Sequence, residues 1–251
     1  MLLYQLLLII ANKNTKCIRS SITSLSFAFG SCIKKIGNNV FQNTPISNLS
    51  LPESIIKLDK EWCKGANNLS EIKIDEDNAL FYFVNGFLFF NNFEKYELIF
   101  APKDYNGEYL VEEDTVKIGN SCFANARSIV SLTSNTKSLK LLDSFAFYNC
   151  EMLQNVTITE VGKLEIGDSC FAKSEKLSIF QLDCEEVEIG ENCFEKCSNL
   201  SNAILNISKK LTLKSKAFKE CNSLAHLYVN TKETVIEDEC FENIHSLGFK
   251  A

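Results

Sequence analysis

Apolar residues in the second half of the chain recur in fixed columns. The anchors are Phe123, Phe147, Phe171, Phe194, Phe218 and Phe241, spaced by 24, 24, 23, 24 and 23 residues. Five residues before them stand Ile118, Leu142, Ile166, Ile189, Leu213 and Ile236; six after stand Ile129, Leu153, Leu177, Leu200, Leu224 and Leu247. Nine after come Leu132, Val156, Phe180, Ala203 and Leu227, and eleven after come Ser134, Ile158, Leu182, Leu205 and Val229. A fixed period of this size predicts a solenoid, which grows by adding coils to a shared core. The last two columns lie two residues apart, the periodicity of a strand. The Ile-Gly-x-x-Cys/Ala-Phe part sits closer to helical spacing and is too short for more than a turn or two. Each unit therefore reads as one strand plus a short helical or 3-10 turn. A second short strand, such as Thr115 to Ile118, is expected on the far side. If strands of successive coils pair, equivalent side chains repeat at about 5 Å and the phenyl rings stack. The predicted class is an α/β repeat solenoid of mostly short parallel strands.

Before Val116 the pattern is less regular. Residues 1–35 read as an irregular segment and a degenerate first coil, in which Ser26-Phe27-Ala28-Phe29-Gly30-Ser31-Cys32 echoes Ser144 to Cys150. Residues 36–74 hold the first repeats: Ile36-Gly37-Asn38-Asn39-Val40-Phe41, then Leu58 to Cys63, where Cys63 takes the anchor place and Trp62 carries the bulk beside it. Residues 75–114 break the period. Leu80 to Phe90 is rich in aromatic residues around Asn85-Gly86, a strong hairpin signal because both residues tolerate positive φ. A third strand is expected at Tyr96 to Phe100, ended by Pro102. Residues 115–251 return to regular repeats. Met1 to Ala11 is too short to span a bilayer as a helix. It reads either as a buried element closing the array or as a signal-peptide core without a preceding basic residue. No polar closing unit follows the last Leu column, so the final coil is expected to meet further coils or a partner.

The unit Ile-Gly-x-x-Cys/Ala-Phe-x-x-Cys-x-x-Leu-x-x-hydrophobic-x-hydrophobic resembles the BspA-type leucine-rich repeats. Asn78, Asn85-Gly86-Phe87-Leu88-Phe89 and Leu98-Ile99-Phe100-Ala101-Pro102 resemble that family's hairpin insert, and Val116-Lys117-Ile118-Gly119 its return to the repeat. The resemblance runs from about Ile36 to Phe249. Departures are the Cys63 anchor and polar residues in the usual Gly column (Asp59, Asp143, Lys214, Glu237). The resemblance implies a leucine-rich-repeat right-handed coil that binds proteins or adheres, often at a cell surface. It implies no catalysis.

Composition changes this picture little. The 251 residues carry a net charge of −6, which argues against a nucleic-acid partner, since such binders show a basic patch. No stretch is a transmembrane candidate. The eleven cysteines fall mostly on two repeat columns. One, just before the anchor, holds Cys122, Ala146, Cys170, Cys193, Ala217 and Cys240; the other, three after it, holds Ala126, Cys150, Ser174, Cys197, Cys221 and Ile244. Alternation with Ala and Ser fits a narrow interior place for a small residue. Pairing of Cys170 with Cys193, or Cys197 with Cys221, in an oxidising compartment stays open. Cys193-x-x-x-Cys197 lacks a second knuckle, so no metal is expected. The two histidines, His226 and His245, lie in no nucleophile motif, and Gly119, Gly167 and Gly190 recur singly, so no phosphate loop and no cofactor is expected. Five Asn-x-Ser/Thr sequons, at Asn48, Asn68, Asn155, Asn199 and Asn206, matter only on a secretory route. Residues eight and ten after the anchor alternate with the core columns and should point outward. They are Ser131 and Thr133, Asn155 and Thr157, Ile179 and Gln181, Asn202 and Ile204, His226 and Tyr228, preceded by Glu71 and Lys73. Such a face commonly binds macromolecules in solenoids, and Ile179, Ile204 and Tyr228 are expected to form an exposed apolar contact patch. The expected function is a non-catalytic recognition or adhesion module, secreted or at the cell surface, with the hairpin modifying one end. An intracellular scaffold with reduced cysteines is the alternative.

Overall fold

A computed structural model describes residues 21–27, 30–93, 95–244 and 248–250, the last of these by backbone alone. Met1 to Ala11, Cys17, Phe29, His245 and Leu247 lie outside the described residues.

The first coils supply β1 (Ser24–Leu25), β2 (Lys35–Ile36), β3 (Asn48–Leu51), β4 (Lys57–Leu58) and β5 (Glu71–Ile74). A hairpin and its third strand follow: β6 (Phe81–Val84), β7 (Phe87–Asn92) and β8 (Lys95–Phe100). Asn85 and Gly86 make the tight turn with φ of 53° and 87°, the left-handed values that an Asn-Gly pair accepts. Then come β9 (Asn106–Leu110), β10 (Thr115–Ile118), β11 (Ser128–Ser134) and β12 (Leu141–Leu142). The long strands β13 (Asn155–Ile166), β14 (Ile179–Ile189) and β15 (Asn202–Leu213) each run across the front of a coil and on into its back. The last are β16 (His226–Asn230), β17 (Glu233–Ile236) and β18 (Gly248–Lys250).

Outside the hairpin every strand pair is parallel, as coils that repeat in one direction require. On the front, Leu132, Val156, Phe180, Ala203 and Leu227 are lateral partners. On the back, Ile118, Leu142, Ile166, Ile189, Leu213 and Ile236 are. Within this core the anchor rings form a column. Phe123 lies 4.9 Å from Phe147, Phe147 5.3 Å from Phe171, Phe171 5.4 Å from Phe194, Phe194 4.9 Å from Phe218 and Phe218 5.7 Å from Phe241. Each buried ring contributes roughly 1.5–3 kcal/mol over an exposed one. In the first coils Trp62, not Cys63, carries the column: its ring packs 6.2 Å from Phe41 and 6.1 Å from Phe100.

The structure corrects the expected helical turns. No helix occurs among the described residues, so the fold is all-β. The segment around each anchor is a run of β-turns. Amides of Cys122, Ala124 and Ala126 bond back to the carbonyls of Gly119, Ser121 and Phe123, three residues earlier. The amides between them, on Ser121, Phe123 and Asn125, donate instead to Ser144, Ala146 and Tyr148 of the next coil at 3.2, 2.8 and 2.8 Å. Residues two before and two after the anchor take left-handed φ, as at Ser121 and Asn125 or Asn192 and Lys196. That reversal turns every second amide out of the coil, whereas a helix would consume them all internally.

The hairpin lies between two groups of coils. One core gathers Ile36, Phe41, Leu49, Trp62 and Leu69, the other Phe123 and the columns that follow it.

Candidate functional site

The front strands place the predicted outward residues in two lateral rows. Ser131, Asn155, Ile179, Asn202 and His226 form one, with the Gly248 backbone beyond them. Thr133, Thr157, Gln181, Ile204 and Tyr228 form the other. The rows alternate with buried Leu132, Val156, Phe180, Ala203 and Leu227, so they face outward for the reason any strand residue does when its neighbours are in the core.

Exposure along the rows is uneven. Ile179 and Tyr228 are each 40% exposed and His226 is exposed. Ile204 is half-buried, lying between Gln181 and Tyr228, so the expected patch of three open apolar groups has a recessed centre. Ser131 is 7% exposed and not open to a partner; it lies between Glu108 and Asn155. Asn155, Thr157, Gln181, Asn202 and Thr133 are half-buried. Ile179 and Ile204 are diagonal neighbours and Ile204 and Tyr228 direct ones, which is close enough for one ligand to touch all three.

Charge separates this face from the rest of the chain, a feature that reading the columns for apolar residues alone passes over. None of the ten residues from Ser131 to Tyr228 is an acid, lysine or arginine, although such residues make up 23% of the sequence. The back of the same coils is the opposite. There Lys163, Glu186, Lys210 and Glu233 are lateral partners, and Lys210 reaches Glu233 at 2.7 Å. At the N-terminal edge of these rows the exposed Glu108, lateral partner of Ser131, restores charge. In the separate sheet beyond the hairpin Glu71 and Lys73 do so, with their side chains 3.5 Å apart. Cores of interfaces are depleted of charge in the same way.

The remaining chemistry is inward. The ten described cysteines are free, and all but Cys32 are buried. The column three after the anchor is also a donor ladder: Cys150, Cys197 and Cys221 direct Sγ at the carbonyls of Phe123, Phe171 and Phe194, at 3.3, 3.2 and 3.1 Å. Ser174 does the same to Phe147 at 2.8 Å, which explains why Ser substitutes for Cys there. Burial pushes the thiols of Cys150, Cys184, Cys221 and Cys240 up to about 12, and those of Cys122, Cys170, Cys193 and Cys197 well up too. They stay protonated at neutral pH, and a thiol is a nucleophile only as thiolate. His226 has Asn202 and Gly248 as lateral partners, which supply neither an acid nor a nucleophile. No group of three His, Cys, Asp or Glu among the described residues is placed to hold a metal ion. No helix among them is long and apolar enough to cross a membrane.

Comparison with known proteins agrees with this geometry. The sequence pattern of the BspA type leucine rich repeat region matches residues 13–103 and 116–248, in six copies. No curated protein matches the sequence. Among solved structures, a leucine-rich repeat protein from Eubacterium ventriosum superposes with a TM-score of 0.69 at 20% identity, over 86% of this chain and 63% of that one. A leucine rich cell surface protein from Faecalibacterium prausnitzii gives 0.63 at 17% identity, over 82% and 52%. A pneumococcal vaccine antigen gives 0.55 at 16% identity, over 85% and 62%. The chain thus spans less than two thirds of each of these structures, and at such identities the likeness concerns the fold.

Proposed function

The chain belongs to the BspA-type leucine-rich-repeat family, and from that premise we propose that it is a non-catalytic binding module whose uncharged front patch contacts a protein or other macromolecule. The observation that carries this is the contrast between the two sides of the same coils: ten front positions without formal charge against a back lined with paired Lys and Glu. A front that served only solubility would carry its share of charge. Ile179 and Tyr228 would supply apolar contact, and Asn155, Thr157, Gln181, Asn202 and His226 a hydrogen-bonding rim. Two of the similar structures are described as a cell surface protein and a vaccine antigen, which supports display at the cell surface or secretion.

A partner pull-down with purified wild-type chain and with an Ile179→Asp/Tyr228→Ala variant tests the patch. Loss of a recovered partner, with unchanged thermal melting of the variant, is the expected result. Equal recovery with both proteins rejects the patch. The buried free thiols, three of them donating hydrogen bonds that a disulfide would remove, favour a second reading as an intracellular scaffold. Labelling intact cells with an impermeant amine reagent and assaying the culture medium separates the two. A labelled or released chain supports display or secretion, and an unlabelled chain retained in the cells supports the scaffold.

A further inference from the structure

The hairpin has two apolar faces, and they belong to different cores. Cross-strand partners in an antiparallel pair share a side of the sheet. Phe81 pairs with Phe90, Phe83 with Leu88, and Leu88 with Phe100; all of these pack on the core that holds Trp62. Tyr82 pairs with Phe89, and Phe89 with Leu98; these pack on the core that holds Phe123. A bulge leaves Ile99 without a partner and so turns Leu98 and Phe100 to opposite sides although they are two residues apart. This explains why Phe81 to Phe90 lacks the polar alternation of a half-exposed strand: both of its faces are covered.

Backbone pairing stops at this wall. On the front, the sheet of β1, β3 and β5 ends, and a separate sheet begins with β9. On the back, β2 and β4 form a sheet of their own. The hairpin is tied to the C-terminal side, where β8 runs parallel to β10 with Leu98 opposite Ile118. The turn ladder is cut at the same place. From Phe123 onward each anchor amide donates to the carbonyl just before the next anchor, as Phe171 does to Cys193 at 2.9 Å. The Cys122 carbonyl, where such a ladder would begin, takes the buried Lys103 ammonium at 3.0 Å instead. Side chains bridge the gap. Asn78 Nδ2 donates to the carbonyls of Pro52, Glu53 and Ile55 while its Oδ1 accepts from the amides of Leu80 and Phe81. The Trp62 ring packs against Phe100, Lys60 Nζ lies 3.9 Å from Asp143 Oδ2, and Lys64 Nζ lies 5.4 Å from the Phe145 ring centre.

We infer that the hairpin is a partition across which the N-terminal coils, up to about Asp75, form a separate cooperative unit that can open while the array from β8 onward stays folded. Solenoid stability is close to a sum of coil and nearest-neighbour terms, so an interface without a backbone ladder is where cooperativity should break. Opening bares the outer face of the hairpin, with Phe81, Phe83, Leu88 and Phe100. The N-terminal unit is thus a detachable cover for that face.

Urea unfolding of the full chain tests this with two probes. Trp62, the sole tryptophan, reports the N-terminal core, and far-UV ellipticity reports mainly the long strands. The Trp62 midpoint is expected at least about 0.5 M urea below the main ellipticity midpoint, a separation that ordinary urea slopes resolve. Adjacent residues on opposite faces then divide the effect. Leu88→Ala should lower the Trp62 midpoint and leave the main ellipticity midpoint in place, whereas Phe89→Ala should lower the main one. Coincident curves in the wild type, or equal shifts of both midpoints in both variants, overturn the partition.

Discussion

Replacing Gly190 by alanine strikes the stack at a place where two coils are in close backbone contact. An added Cβ would lie 2.6 Å from the Gly167 carbonyl carbon and 2.7 Å from both the backbone N and Oδ1 of Asp168. Carbon contacts relax at about 3.5–4.0 Å, so the coils must separate by about 1 Å. The obstacle is backbone, which cannot swing away. The Gly190 amide donates to Ile166 at 2.7 Å and the Glu191 amide to Asp168 Oδ1 at 2.8 Å. A separation of about 1 Å carries both beyond hydrogen-bonding range. Two lost bonds at about 1 kcal/mol each, with overpacking strain of about 1–3 kcal/mol, total roughly 3–5 kcal/mol. For a chain of this size that lowers Tm by roughly 6–20 °C. Thermal melting followed by far-UV circular dichroism reads the shift. Lys214, the next member of the same column, already carries a side chain, so Lys214→Ala is the control. It removes only surface ion pairs to Glu188 and Glu237, which water screens, and should move the midpoint far less. An unchanged midpoint for Gly190→Ala, or an equal fall for both variants, refutes backbone contact between successive coils.

Other consequences follow from the same structure. Cys197→Ser should be nearly neutral, because Ser174 already occupies that column, while Cys197→Ala loses the bond to the Phe171 carbonyl and should cost about 1 kcal/mol by urea titration. Lys103→Met leaves the buried Cys122 carbonyl without its ammonium donor and should cost about 1–3 kcal/mol by the same assay. Burial raises the folded-state pKa of Cys150, Cys221 and Cys240 from 9.0 to about 12, so unfolding releases protons in that window. Their contribution is intact below about pH 9 and is lost as pH rises from there towards 12; melting at stepped pH should show a flat midpoint below 9 and a steep fall above it. A midpoint that holds steady to pH 11 would count against buried thiols.

How much of this was legible in the sequence depended on what each residue packs against. The core columns were readable because every coil repeats the same burial, so Ile118, Leu132 and Phe123 each recur at one spacing. The turn was misread. Gly119 to Phe123 looks helical by spacing, but its hydrogen bonds alternate between coils, and nothing in residue type announces that export except the asparagines at left-handed positions such as Asn125 and Asn149. The hairpin is legible from Asn85-Gly86 and from the break in the period at residues 75–114. That its two faces pack on different cores is not, although the unbroken apolar run around it is the available signal. On the front face, strand alternation gives the two rows, but the small Ser131 is buried between Glu108 and Asn155, which alternation alone does not foretell. The role of Cys150 as a donor to Phe123 needed three-dimensional contact to appear.

The stacked anchor column is the claim on which the fold and its outward front face both stand. Nuclear Overhauser spectroscopy on a chain with selectively labelled phenylalanine rings tests it most directly. Phe171 should show contacts to Phe147 and Phe194, whose rings lie 5.3 and 5.4 Å away, and the chain of contacts should run in order from Phe123 to Phe241 without skipping a coil. Rings that show no mutual contacts, or contacts in a different order, would contradict the account.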